Sequence, residues 1–311
     1  MNRPLTPLMI GAAAGAAAAL LSVGSVVQTS LSFILFVLSP LPLMLAGLGW
    51  GPVAGLTAAI ISILAVLSFA GTDPAVVIAL TTVIPATVAA YFGGMARLEA
   101  DQPREWYPLG AILFILTVIV AAGFIAVGIY LDFPSLSAEL SVELVKRIAA
   151  ADPELARDPV ATMSLANSVL KVLPFLQPAS WLLVLIANFW VALGISRRSG
   201  LFARPKDDWP TSLKMPSQAL PLFALAMAAT FLDGGWAMIA WCMAGAFSMA
   251  FIFTGFAALH RISRGKPWRA TALWVAYATS LTIGLPVIAF LFAGLYDTAK
   301  KPAATGGNST L

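Results

Sequence analysis

Charge is what this sequence has least of. Asp, Glu, Lys and Arg together make up 10% of its 311 residues, where soluble domains carry about a quarter. It has one cysteine, Cys242, and one histidine, His260. A lone cysteine excludes a disulfide framework and a thiolate metal site. A lone histidine excludes the His-Glu-x-x-His pair of zinc hydrolases. No Gly-x-x-x-x-Gly-Lys phosphate loop occurs, so ATP hydrolysis by that route is excluded as well. Cys242 lies in an apolar run with no histidine near it in sequence and reads as a small packing residue. His260 lies among basic residues. These absences predict a protein that is not an enzyme and needs no metal or cofactor.

What fills the chain instead is apolar sequence. Hydrophobic residues make up 60% of it, and mean hydropathy is +0.91. The apolar runs between the charged islands are long enough for a bilayer, which takes about 20 residues per helix. The fold class expected is therefore all-α: a polytopic transmembrane helix bundle of about nine spans. They fall at 8–27, 31–48, 53–69, 75–95, 109–131, 172–195, 217–232, 235–259 and 270–295. The first follows Arg3 and resembles a signal peptide, but its apolar stretch is longer than a typical h-region, so it reads as a span. The second and third are interrupted by Pro40, Pro42 and the turn Gly49-Trp50-Gly51-Pro52, so a re-entrant hairpin is the alternative there. The seventh is short. Residues 297–311 read as a polar, disordered tail.

Orientation follows from the basic residues. Arg197, Arg198, Arg204, Lys206 and Lys214 follow the sixth span. Arg261, Arg264, Lys266 and Arg269 follow the eighth, and Arg97 and Arg104 the fourth. Nine spans put all three loops on the side of Arg3, and the positive-inside rule makes that side cytoplasmic. The expectation is a multi-pass membrane protein, N-terminus inside and C-terminus outside. The bilayer is its first partner. The net charge of +4 serves topology and does not point to nucleic acid.

The connection 132–171 falls outside by this scheme. Leu136, Leu140, Leu144 and Ile148 recur at helical spacing, Glu143 and Arg147 form an i,i+4 pair, and Asp158-Pro159 is a helix start. Two helices are expected there, on the outer surface or as a lid over the bundle. Charge is absent from the span centres, which argues against proton- or sodium-coupled transport. Uncharged polar residues remain. Gln28, Thr29, Gln177 and Trp181 fall toward the outer side, where they either line an outward-facing pocket or sit in the interface. Asn188 lies deeper and is costly to bury without a partner. These five are the candidate ligand-binding residues. Gly11, Ala12, Gly15 and Ala16 form a small-xxx-small stripe, which packs either against a neighbouring span or against a separate membrane partner.

The small-residue first span, the Pro-rich second span and the Gly-Trp-Gly-Pro-x-x-Gly turn closing at Gly55 resemble YybS-like bacterial membrane proteins, a family of unknown function. The first six spans are similar to the substrate-binding S components of energy-coupling-factor transporters. This implies a protein of a bacterial inner membrane with an S-component-like unit at 1–195; the outer insertion 132–171 within it and the three-helix unit at 196–296 depart from that pattern. It also implies that the stripe docks on a membrane coupling subunit driven by a partner ATPase. The function expected is binding or transport of a small hydrophobic or amphipathic solute with partner subunits; the alternative is a non-transporting scaffold for an envelope or cell-shape assembly.

Overall fold

The computed structural model describes residues 6–24, 30–97, 105–152 and 154–300. The chain is an all-α bundle of membrane type, and among the described residues seven helical segments are long and apolar enough to span a bilayer. The first is α1 (Thr6–Val23). The second is broken into α2 (Ser30–Val37) and α3 (Pro40–Trp50). Pro40 and Pro42 withhold two N–H groups and interrupt the ladder between them. Gly51, at φ 87°, turns the chain into α4 (Pro52–Ala70). A fourth span is assembled from α5 (Thr72–Ile78), a π turn (Ala79–Val83) and α6 (Ile84–Gly94). A two-residue antiparallel pair, β1 (Ala96–Arg97) with β2 (Glu105–Trp106), leads to α7 (Leu109–Tyr130).

Asp132, in the left-handed region at φ 48°, starts α8 (Phe133–Ala151), none of whose side chains is buried. A short 3-10 turn precedes α9 (Pro159–Arg198), a single helix of 40 residues. Its start is the expected cap: the Asp158 carboxylate accepts from the N–H groups of Val160 and Ala161 at 3.1 and 3.0 Å. At 1.5 Å per residue it is ~60 Å long, about twice the ~30 Å hydrocarbon core. The second outer helix and the sixth span are thus one element. Its N-terminal part pairs with α8 as a hairpin projecting from the bundle.

The remainder is α10 (Trp209–Ser212), α11 (Ala219–Ala229), α12 (Gly235–Ile262), α13 (Arg269–Thr282) and α14 (Pro286–Ala299). Two expected spans change here. The seventh contains a helix of only 11 residues. The ninth is not one crossing, because Gly284 turns at φ 74° and Pro286 restarts the helix. Helix α14 then packs on α12. A Cβ on Gly255 would lie 1.9 Å from the Phe290 carbonyl oxygen, and one on Gly294 1.9 Å from that of Phe251. Arg261 and Asp297 pair near the C-terminal ends of the two helices, so α12 and α14 run parallel. The last described residues therefore lie at the same end of the bundle as Arg261, where nine full crossings would have put them at the opposite end.

The three basic connections do share one end of the bundle. Arg204 is buried there: its guanidinium donates to Asp207 at 2.7 to 3.1 Å and to the Gly93 carbonyl at 3.2 Å, and it lies 5.9 Å from the Trp106 ring centre. Arg264 pairs with Asp208 and holds its carboxyl below the usual carboxylate range. Arg261 also donates to the Pro210 carbonyl at 3.0 Å. These bonds tie the loop after α9 to α6 and to the end of α12. The opposite end, where α7 stops and α8 begins, is called distal below.

Candidate functional site

The distal half of the bundle carries its irregular backbone, and one face of α9 answers it. Pro85 lacks the N–H that a regular helix would direct to the Thr81 carbonyl. The Trp181 indole N–H donates to that oxygen instead, at 2.7 Å, and its ring packs on Phe36 with centroids 4.8 Å apart. Two turns further along α9, the Asn188 amide donates to the Val37 carbonyl at the α2–α3 break and to Val184, both at 2.8 Å. In an unbroken helix the Leu41 N–H would serve Val37; here it bonds to Leu38. Both side chains are buried. They close the bundle around its own interruptions.

Gln177 lies one turn on the distal side of Trp181 and has a different setting. It borders a cavity of about 200 Å³ between α5, α7, α8, α9 and α12. Gly128 lies on its α7 wall, Met238 and Cys242 on its α12 wall, and Leu136 and Leu140 of α8 form its roof. The amide of Gln177 and the thiol of Cys242 are its only polar side chains. At ~30 Å³ per water, the space holds a molecule the size of roughly seven waters. It is below the ~300 Å³ at which drug-sized pockets begin. Asp132, where α8 begins, accepts from the Ser135 hydroxyl at 2.5 Å, and two residues earlier, at the end of α7, Tyr130 donates to Asp73 at 2.8 Å. Gln28 and Thr29 lie outside the described residues.

The small-residue stripe of α1 is split between two faces. Gly11 and Gly15 are buried against α4: a Cβ on Gly11 would lie 2.6 Å from the Ala54 oxygen, and one on Gly15 2.4 Å from that of Ala58. The pairing runs forward on both helices, so α1 and α4 are parallel. Ala12 is half-buried and Ala16 exposed. The glycines therefore serve a contact within the chain, and what remains open is the flank of Ala16, Leu20 and Phe69.

Sequence reasoning passed over Pro85, and the signal was a proline inside an apolar run whose fourth-preceding carbonyl, that of Thr81, must find another donor. It also treated Cys242 as packing alone, although its side chain faces the cavity. Among the described residues, no three His, Cys, Asp or Glu side chains gather as a metal site would require. Comparison with protein-family models, with curated proteins and with solved structures returns no match.

Proposed function

We propose that this integral membrane protein takes up a small apolar or amphipathic solute in the distal cavity beneath α8 and passes it on with partner subunits. The observation that carries this is the cavity itself. Its walls are apolar side chains, Gln177 offers one polar contact, and α8 covers it as a roof without a buried side chain of its own. Apolar walls with few placed polar groups are the usual make-up of a small-molecule site. The chain has no phosphate loop, so any energy input comes from a partner, a membrane coupling subunit with its ATPase. That assignment agrees with the resemblance to S components and with YybS-like proteins.

The test is solvent extraction and mass spectrometry of protein purified in mild detergent. A small molecule should accompany the wild-type chain and be depleted severalfold by Val127→Trp, which fills the cavity. Gln177→Leu should weaken retention of an amphipathic solute and spare a purely apolar one. Equal recovery from wild type and Val127→Trp, or no small molecule at all, would sink the proposal. A second reading, the non-transporting scaffold, is favoured by the ~60 Å length of α9, which raises a helical hairpin well clear of the bundle.

A further inference from the structure

The projecting hairpin exposes apolar side chains in a place where lipid does not reach. Arg197 and Arg198 mark the basic end of α9. Counting ~20 residues of hydrocarbon from there puts Leu176 near the distal boundary and the preceding residues beyond it. In that part α9 buries a single stripe, Thr162, Ala166, Leu170 and Pro174, and α8 buries nothing. Leu165, Val169, Val172 and Leu176 stay 42 to 50% exposed. Their spacing of four, three and four is that of a coiled-coil seam. Seven-residue steps carry the same line to Leu183 and Trp190, both exposed, on the side of α9 that faces away from the bundle.

We infer that two copies of this chain associate side by side in the membrane, with their α9 helices parallel along this seam. Beyond the membrane the two hairpins would then form a four-helix assembly. A two-helix hairpin in water has too little contact to stand alone, and a second hairpin supplies the missing core. The second copy is the occupant the chemistry selects. The bilayer holds both α9 helices in the same sense, so identical seams meet in parallel and in register across a two-fold axis. Residues 159–196 carry one charge, Lys171, ~120° round the helix from the seam. Two copies therefore meet along the α9 seam without like-charge repulsion; the hairpin's other charges lie on α8 and the turn after it, where Glu143 pairs with Arg147. This inference does not depend on the distal cavity.

Cysteine cross-linking in native membranes tests it. In a Cys242→Ala background, single cysteines are placed at Leu165, Val169 and Val172 on the seam, and at Ser164, Asn167 and Lys171 away from it. Copper–phenanthroline oxidation should give a product of twice the chain mass from the seam set and none above background from the other. In detergent, light scattering should read a dimer for the wild type and a monomer for Val169→Glu/Val172→Glu. Absence of seam cross-links, equal cross-linking from both sets, or a product containing a different protein would each overturn the inference.

Discussion

At the scale of single residues, the chain depends on two long-range donors. A carbonyl left without a partner inside a bilayer has no water to turn to, and leaving a buried acceptor unpaired costs about 1–3 kcal/mol. Trp181 meets this need at Thr81, and Asn188 at Val37. The debt at Thr81 arises from Pro85, which gives a clean test. Trp181→Phe keeps an aromatic ring but removes the N–H and part of the indole's volume, and should lower stability by at least the ~1–3 kcal/mol of the lost bond in detergent unfolding. In a Pro85→Ala background the new backbone N–H can serve Thr81, so the same substitution should cost much less. A loss of equal size in both backgrounds would show that the ring, and not its N–H, is what the site needs. Asn188 was conspicuous in the sequence because a buried amide is costly. Its partner was not, because the carbonyl lies 151 residues away and is exposed only by a break in another helix.

At the scale of elements, close packing of α1 on α4 decides what the small-residue stripe does. Gly15 faces the Ala58 carbonyl, and any side chain there must displace backbone. Gly15→Leu should therefore destabilise the bundle by overpacking, about 1–3 kcal/mol or more, seen as a lower unfolding midpoint of the isolated protein. Ala16→Leu, on the exposed flank, should leave that midpoint unchanged. If the two substitutions act alike on the isolated chain, the contact with α4 is not what the glycines serve. Helix boundaries were largely readable. The first expected span, 8–27, overlaps α1, and the fifth, 109–131, coincides with α7 to within one residue. Continuity was not readable. Apolar sequence runs unbroken through Gly284-Leu285-Pro286, and hydropathy cannot distinguish one crossing from two half-length helices. The Asp158-Pro159 start suggested an outer helix separate from the sixth span, yet α9 runs on through Pro174 and Pro178, which both sit inside it.

At the scale of the whole molecule, the basic loops and the C-terminal hairpin together fix how the chain is threaded. Arg204, Arg261 and Arg264 each close a bond at the same end of the bundle, as the clustering of basic residues implied. The candidate cavity was only partly legible, because Gln177 marks its rim while its roof and walls come from four other elements that apolar composition does not distinguish. Helices α13 and α14 have 14 residues each, ~21 Å of helix, too short for either to cross a ~30 Å core. Helix α14 runs parallel to α12 and meets Arg261 through Asp297, so the hairpin enters from the basic end and returns to it. Nine full crossings would have placed its two ends on opposite sides. Accessibility labelling separates the two cases. In a Cys242→Ala background, cysteines replacing Lys266 and Lys300 should react with a membrane-impermeant maleimide from the same side, while one replacing Asn167 reacts from the other. A cysteine replacing Leu285, in the turn between the two helices, should resist the reagent from both sides, because its place along α12 puts it within the hydrocarbon depth. Labelling of positions 266 and 300 from opposite sides would refute the hairpin and restore a ninth crossing.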